Sequence, residues 1–177
     1  MPRSRTSVCL LGDTHGFLDP RVAEVADACD RVVHTGDVGG RSILARLARG
    51  GHGAVAVAGN NDTARHWGDD GPADAARLPA ENRLALPGGE LVVVHGHRLR
   101  ARDRHRRLRA AHPDATAIAC GHSHRLVVDR DAEPWVLNPG AAGRTRTHGG
   151  PACLVLRADR DAWRIEIHRF EPRPRRR

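Results

Sequence analysis

Tyrosine and lysine are absent from this 177-residue chain, and aromatic residues make up only 3% of it. A core with so few large rings must be built mostly from Ala, Val, Leu and Ile side chains. All 29 basic residues are Arg, and together with the abundant Ala and Gly this bias indicates a GC-rich coding sequence. We therefore give the formal net charge of +8 little weight as a functional signal. A basic surface still attracts polyanions, so nucleic acid stays open as a partner.

Long apolar runs and paired cysteines are also missing. No stretch approaches the roughly 20 apolar residues that span a bilayer, so we expect no membrane partner. The first apolar run, residues 8–11, is too short for the hydrophobic region of a signal peptide, which makes the cytoplasm the expected location. The four cysteines are far apart and form no C-x-x-C pair, so we expect reduced, buried thiols. A homo-oligomer stays open.

The first third of the chain alternates between short apolar runs and amphipathic segments. This alternation predicts a strand–helix–strand–helix–strand unit with parallel strands and right-handed crossovers. Asp19 is a candidate N-cap for the first helix because Pro20 suits the first helical position. Gly50-Gly51 would end the second helix. The predicted elements are strand 8–11, helix 20–29, strand 31–34, helix 41–49 and strand 54–58.

The rest of the chain predicts more strands than helices. Pro87-Gly88-Gly89 between two apolar runs is typical of a hairpin. We expect a loop at 65–78 and a very basic helix at 98–111. The predicted strands are 83–86, 91–94, 115–119, 126–129, 135–137, 153–156 and 163–168. Together these elements predict one α/β (α+β) domain over 1–170, with two sheets and helices outside them, followed by a disordered Arg/Pro-rich tail at 171–177.

Five short polar motifs each follow one of the predicted strands. They are Asp13-Thr14-His15-Gly16, Gly36-Asp37, Gly59-Asn60-Asn61-Asp62, His95-Gly96-His97 and Gly121-His122-Ser123-His124. Side chains two residues apart on an extended chain point to the same side, so each D-x-H or H-x-H pair can share a cation. Open α/β sheets bind ligands beyond the carboxyl ends of their strands. We therefore expect the motifs to meet along a single edge.

The motifs supply more candidate metal ligands than one ion uses. The candidates are Asp13, His15, Asp37, Asn60, His95, His122 and His124. A single zinc site takes three or four protein ligands, so seven predict two ions that share a bridging carboxylate. Histidine and carboxylate without thiolate favour Mn, Fe, Zn, Ni or Co. Two such dications with a bridging hydroxide would leave a small positive charge, which suits in-line attack on an anionic substrate.

The ordered motifs D-x-H, G-D, G-N-x-D, H-G-H and G-H-x-H resemble those of the calcineurin-like metallophosphoesterase superfamily. The H-G-H form and Asn138-Pro139-Gly140 are similar to its small bacterial and archaeal phosphodiesterase branch, over residues 8–144. The resemblance implies a β-sandwich flanked by helices (αββα) and a dinuclear phosphodiesterase that hydrolyses P–O bonds, with Mn²⁺ as the favoured ion. It also implies one ion on Asp13, His15, Asp37 and His124, and another on Asp37, Asn60, His95 and His122.

Two positions depart from the family pattern. Many relatives carry His where this chain has Asn61, and that His is thought to protonate the leaving group. Asn61 cannot donate a proton in this way, although it can hydrogen-bond a phosphoryl oxygen, so we expect better activity on activated diesters. In the branch, Ser usually follows the Asn-Pro-Gly motif, and Ala141 replaces it here. Asn61 and His97 are the candidate catalytic residues, with His97 either facing the site or pointing away.

Several other polar residues have two interpretations each. His34 lies within a strand, where a hydrogen bond to a ligand or a core role is favoured over ligation. Asp62 is expected to orient a neighbour, as carboxylates around metal sites commonly do. Arg144 and Arg146 either steer phosphate or belong to the general basic surface.

Two alternatives stand beside the phosphoesterase. The superfamily includes a coat-complex subunit that binds partner proteins, so a scaffold is one alternative, and an apolar surface patch would favour it. A nuclease that holds the nucleic-acid backbone with the basic segment 98–109 is the other, and steep salt dependence of binding would favour that.

Overall fold

The computed structural model describes residues 5–49, 54–69 and 71–172. Within them, ten strands and five α-helices follow one another along the chain. The elements are β1 Arg5–Leu11, α1 Pro20–Asp27, β2 Arg31–His34, α2 Arg41–Ala48, β3 Ala54–Ala56, α3 Ala64–Trp67, α4 Pro72–Arg77, β4 Glu81–Leu86, β5 Gly89–Val94, α5 Arg104–Ala111, β6 Ala117–Ala119, β7 Leu126–Asp129, β8 Trp135–Pro139, β9 Ala152–Asp159 and β10 Trp163–Arg169.

The strands form two mixed five-stranded sheets. The first has the order β10-β9-β1-β2-β3, in which β1, β2 and β3 are parallel, as the strand–helix alternation predicts, and β9 and β10 are antiparallel. The second has the order β4-β5-β6-β8-β7, with β5, β6 and β8 parallel and antiparallel strands at both edges. The predicted hairpin is the β4–β5 pair. The parallel strands thus extend from the middle to one edge of the first sheet and form the centre of the second, and within each sheet they end in the same direction.

Three apolar layers hold the sheets and helices together. Successive side chains of a strand face opposite sides of a sheet. In β1, Leu10 packs between the two sheets, whereas Leu11 packs against α1 and α2. On the outer face of the second sheet, Ile118 of β6 packs against Leu108 of α5. The result is the predicted αββα sandwich, with helices on the outer face of each sheet.

The loop predicted at 65–78 is wrong, because α3 and α4 lie there. The Thr63 side chain accepts a hydrogen bond from the His66 amide and so caps α3. Trp67 anchors the same short helix in the core, with an exposed fraction of 3%. Pro72 opens α4 at a position where its missing N–H costs no hydrogen bond. Capping and the burial of one large ring outweigh the turn-forming residues around them.

The basic helix predicted at 98–111 begins later than expected. A 3-10 turn, Ala101–Asp103, precedes it, and α5 starts at Arg104. The predicted cap of α1 is confirmed, since Asp19 accepts from the Arg21 amide. Gly50-Gly51 and residues 173–177 of the predicted tail lie outside the described residues. None of the described helices is long and apolar enough to cross a membrane.

Candidate metal centre

All seven predicted ligands lie on loops that directly follow β1, β2, β3, β5 and β6. Backbone hydrogen bonds lock these loops together. The Asp13 amide donates to the Gly36 carbonyl over 3.0 Å, and the His15 amide donates to the Asp37 carbonyl over 2.9 Å. The Gly121 amide donates to the His95 carbonyl over 3.2 Å, within the second sheet. The ligands therefore meet at one edge of the sandwich, with both sheets contributing.

Four of these side chains form a compact group, which we term the first half-site: Asp13, His15, Asp37 and His124. One ligand atom from each lies within 4.8 Å of the others. His15 Nε2 is 3.2 Å from His124 Nε2 and 3.7 Å from Asp37 Oδ2. His124 Nε2 is 3.4 Å from Asp13 Oδ1. The spacing is that of ligand atoms surrounding a common centre.

A second group shares Asp37, and we term it the second half-site: Asp37, Asn60, His95 and His122. Asn60 Oδ1 is 3.2 Å from His95 Nε2 and 2.9 Å from His122 Nδ1. His95 Nε2 is 3.5 Å from Asp37 Oδ2. The same carboxylate oxygen therefore faces His15 in the first half-site and His95 in the second. These two groups are the ligand sets that the family resemblance implies, and their assignment to metal ions stays a prediction.

Hydrogen bonds to the far side of two imidazoles fix which nitrogen faces the centre. His95 Nδ1 donates to the Thr35 carbonyl over 2.8 Å, and His124 Nδ1 donates to the Thr145 carbonyl over 2.9 Å. In the neutral form of each ring, the lone pair of Nε2 then faces the other predicted ligand atoms. Metal-binding histidines almost always have such a partner. Asp13 Oδ2 is buried and has no hydrogen-bond partner among the described residues. Converging lone pairs and an unpartnered carboxylate oxygen fit divalent cations.

The backbone of the site is strained. Five of the seven predicted ligands have positive φ, in the left-handed region that non-glycine residues rarely enter. These are Asp13 (52°), His15 (47°), Asp37 (55°), His122 (68°) and His124 (57°). Each such residue costs about 1–2 kcal/mol, so the packed loops must impose the conformation. Strain of this kind concentrates at functional sites.

Burial and charge separate the two carboxylates of the centre. Burial, partly opposed by the charge of His95, raises the pKa of Asp13 to about 7. Burial acts in the same direction on Asp37, but the hydrogen bond and charge of His95, with donors from Asn61, hold the pKa of Asp37 well below its usual range. Asp37 is therefore ionised across the physiological range, whereas Asp13 becomes ionised only near neutrality.

The imidazoles also differ. Burial lowers the pKa of His124 to about 4 and lowers the pKa of His15 and His122. Burial opposes protonation of His95 too, but the neighbouring Asp37 outweighs it and raises the pKa of that ring. Neutral imidazole is the form that binds a metal ion. Three of the four ligand histidines are thus already neutral near pH 7.

His34 and Asp62 support the site without joining either half-site. His34 is fully buried and its Nε2 is 2.8 Å from Thr14 Oγ1, while its Nδ1 accepts from the Gly36 amide. Asp62 accepts from the amides of Val38, Gly39 and Gly59 and from the Trp67 indole. Asp62 therefore ties the loop after β2 to the loop after β3. Both residues hold the backbone that carries the ligands.

The two candidate catalytic residues lie beside the second half-site. Asn61 contacts Asp37 twice, through its amide to Oδ1 and its Nδ2 to Oδ2, each over 2.8 Å. The His97 ring lies 5.4 Å from the His95 ring and 6.3 Å from the His122 ring, measured between centroids. His97 Nδ1 is buried without a hydrogen-bond partner among the described residues. Burial and the charge of His95 lower the pKa of His97.

Two arginines lie on the loop between β8 and β9. The Arg144 guanidinium lies 3.5 Å from the centre of the Phe17 ring. Arg146 Nη2 lies 3.0 Å from His124 Nε2, so this side chain reaches the first half-site itself. The Thr35 and Thr145 carbonyls that orient two of the predicted ligands carry no signature in the sequence. Asp62 does have one, because it is the aspartate of the G-N-x-D motif.

Comparison with known families identifies the architecture. The model of the calcineurin-like phosphoesterase superfamily domain matches residues 7–161. No functionally curated protein matches the sequence. The matched range contains both half-sites as well as Asn61, His97, Arg144 and Arg146.

Several solved structures share the fold. A conserved protein from Streptococcus pneumoniae TIGR4, described as a predicted phosphoesterase, has a TM-score of 0.70 at 21% identity, with 97% of this chain and 94% of that chain covered. Vacuolar protein sorting 29 of Cryptosporidium parvum has a TM-score of 0.72 at 18% identity, with 94% and 98% covered. An archaeal phosphodiesterase has a TM-score of 0.67 at 18% identity, with 92% and 99% covered. At these identities the likeness concerns the fold.

Proposed function

The chain belongs to the calcineurin-like phosphoesterase superfamily, and from this premise we propose that it is a dinuclear metal-dependent phosphodiesterase. One observation carries the proposal: two sets of lone-pair donors converge on either side of the same Asp37 oxygen. Two divalent ions, with Mn²⁺ favoured, would be held by the first and second half-sites and would supply Lewis acidity towards water and the phosphoryl oxygens.

The chain's own residues have distinct tasks in this proposal. Asp37 is ionised at neutral pH and sits between the half-sites, so its charge serves both. The Thr35 and Thr145 carbonyls orient His95 and His124. Asn61 Nδ2 is a neutral donor next to Asp37 and is suited to hydrogen-bond a phosphoryl oxygen. The left-handed backbone pre-organises the ligands, so little reorganisation accompanies binding.

Proton transfer to the leaving oxygen falls to His97 in our proposal. Asn61 has no proton to give at neutral pH. We assign this step to His97 because its imidazole lies beside the second half-site, 5.4 Å from the His95 ring, and can carry a proton. Its lowered pKa makes it a weak reservoir of protons at neutral pH. A substrate with a good leaving group needs little protonation, and this favours activated esters over poor leaving groups.

A diester is our preferred substrate class, and the archaeal phosphodiesterase of similar fold supports this choice. Two dications and two carboxylates would leave a net charge of about +2, which attracts the negative charge of a phosphodiester. The expected partner is therefore a small phosphate ester in the cytoplasm.

The scaffold alternative finds less support in the described surface. Vacuolar protein sorting 29 shares the fold, so a protein partner is compatible with it. In the part of the chain that the structure describes, however, Ile167 is the one exposed large apolar side chain. A protein-docking surface generally needs a larger apolar patch. The full set of seven ligand side chains favours catalysis.

The nuclease alternative depends on free cations along α5, and several are engaged. Arg107 Nε donates to Asp103 over 2.8 Å, and Arg109 Nη2 donates to Asp129 over 2.6 Å. Arg104 is buried. A helix whose guanidinium groups face intramolecular carboxylates offers less charge to a phosphate backbone. We therefore keep the smaller phosphodiester as the substrate class.

Metal analysis and turnover of an activated aryl phosphodiester test the proposal. We expect two Mn²⁺ per chain and metal-dependent hydrolysis. Asp37→Asn should lose ions from both half-sites and reduce turnover by about 10³-fold, because several kcal/mol of charge stabilisation disappear. Asp114→Asn, an exposed aspartate outside the site, is the matched control and should behave as the wild type. Full activity of Asp37→Asn would refute the proposal.

A further inference from the structure

Arg146 is the one guanidinium that, among the described residues, forms a hydrogen bond with a predicted ligand atom. Its Nη2 donates to His124 Nε2 over 3.0 Å. Arg146 is an exposed residue, but its contact with His124 is partly buried. Arg146 has a φ of 52°, a left-handed conformation that an arginine adopts only at a cost. The loop is therefore shaped to deliver this guanidinium to the first half-site.

This contact occupies His124 Nε2, which is also the predicted metal-binding atom of that ring. His124 Nδ1 donates to the Thr145 carbonyl, so the neutral ring has a single lone pair, at Nε2. That lone pair can accept from Arg146 Nη2 at 3.0 Å, accept from His15 Nε2 at 3.2 Å, or bind an ion, but it serves only one of them at a time. An ion in the first half-site would also repel the guanidinium, since both are positive and only a few ångströms apart. Arg146 and a cation at His124 therefore exclude each other.

If an ion displaces the Arg146 guanidinium from His124, that group lies next to the metal centre, where a phosphate group is the anion available to it. Its planar fork of N–H donors matches two oxygens of a phosphate group. Arg144, two residues earlier, has the same charge but stacks on Phe17, where the ring face satisfies it. The sequence gives no reason to prefer Arg144 or Arg146 as a phosphate-binding residue, but their contacts in the structure differ.

We propose that Arg146, and not Arg144, binds the phosphate group of the substrate, and that the same guanidinium competes with the metal ion for His124. The inference rests on the proposed function and adds a specificity residue to it. It makes metal loading and substrate recognition one linked event, because the ion that occupies the first half-site also releases the phosphate-binding group. The ligand class is a phosphate ester or free phosphate.

Calorimetric titration with Mn²⁺, and then with inorganic phosphate on the Mn²⁺-loaded protein, tests the inference. Arg146→Ala should bind Mn²⁺ at the first half-site about threefold more tightly or better, because a charge-assisted competitor has been removed. The same variant should bind phosphate about tenfold more weakly, because a bidentate donor has been lost. Arg146→Lys keeps the charge but not the fork, and should recover phosphate affinity only in part.

Arg144→Ala is the matched control, with the same loop and the same loss of charge, and both affinities should stay at wild-type values. Opposite shifts of the two affinities in Arg146→Ala cannot come from a general loss of structure. Unchanged or weaker Mn²⁺ binding by Arg146→Ala, or unchanged phosphate binding, would overturn the inference while leaving the phosphodiesterase intact. If the wild type itself bound no Mn²⁺ and hydrolysed no diester, the proposed function would fail together with the inference.

Discussion

The two half-sites share Asp37 but differ in charge and in burial. In the first, Asp13 and His124 are almost completely buried, with exposed fractions of 0% and 1%. In the second, Asn60 is exposed and His122 is half-buried. The first half-site has two carboxylates and the second has one, with a neutral amide in place of the other. The first half-site therefore carries more buried carboxylate, whereas the second, although His95 is also buried, is the more accessible of the two.

This difference assigns different tasks to the two halves. Electrostatic attraction is stronger where water is excluded, so an ion in the first half-site should bind more tightly. Burial also raises the pKa of Asp13, so protonation of this carboxyl would weaken metal binding at the tighter site. We expect the second half-site, which lies next to Asn61 and His97, to bind its ion more weakly.

Gly59→Ala should have the largest effect, because it disrupts the residue that both halves share. A methyl group at Gly59 would clash with the side chain and the amide of Asp37, and rigid backbone cannot move away. We expect loss of both ions and a fall in turnover of about 10³-fold or more. Metal analysis and diester hydrolysis measure both effects.

Ala76→Ser, on the exposed side of α4, serves as the control for this substitution. It also adds a single heavy atom, but at a position that is exposed to solvent. This variant should keep both ions. If Gly59→Ala kept them as well, the shared carboxylate would not be the link between the half-sites.

Single-ligand variants should separate the two halves. Asn60→Ala removes a ligand of the second half-site alone, and His124→Ala removes one of the first. Removing a residue that only contacts a metal ligand typically costs about 10- to 100-fold in metal affinity. We expect the loss of a direct ligand to cost at least as much, and to affect only one of the two ions. Calorimetric stoichiometry should fall from two to one in both. Loss of both ions from Asn60→Ala would show that the first half-site cannot hold an ion independently.

Acidification should weaken the first half-site through Asp13. With a pKa of about 7 this carboxyl carries a proton below neutrality, and an ion must displace that proton. His124, with a pKa of about 4, stays neutral over the same range and adds no further proton. In Asn60→Ala, Mn²⁺ affinity should therefore fall by about tenfold per pH unit below pH 7. An affinity that is constant between pH 5 and 7 would contradict a protonated Asp13.

Asn61→His should give the smallest change, and in the direction of gain. An imidazole at this position can donate a proton to a leaving oxygen, which the amide cannot. We expect turnover of diesters with poor leaving groups to rise about three- to tenfold, short of the roughly 10²-fold of a well-placed acid. The activated aryl diester should gain little. An equal gain on both substrates would point to a role other than proton donation.

The sequence predicts the ligands of both half-sites better than it predicts what supports them. Asp13-x-His15 and His122-x-His124 follow apolar strands, and strand order brings them to one edge, so residue type and spacing are enough. The Thr35 and Thr145 carbonyls that orient His95 and His124 are backbone atoms with no sequence signature. The helices α3 and α4 were also unpredictable, because the burial of Trp67 depends on contacts that only the folded chain makes.

Local patterns in the sequence predicted two sheets with helices outside them and the seven candidate ligands, since alternating apolar periods and polar strand ends are properties of short segments. The division of those ligands around Asp37 came from the family resemblance. Only the tertiary structure decided that Asp13 is buried enough to hold a proton near pH 7. Only it distinguished Arg146, on His124, from Arg144, on Phe17. Burial and contact between distant residues depend on how the loops pack against one another, and no short segment of sequence contains that information.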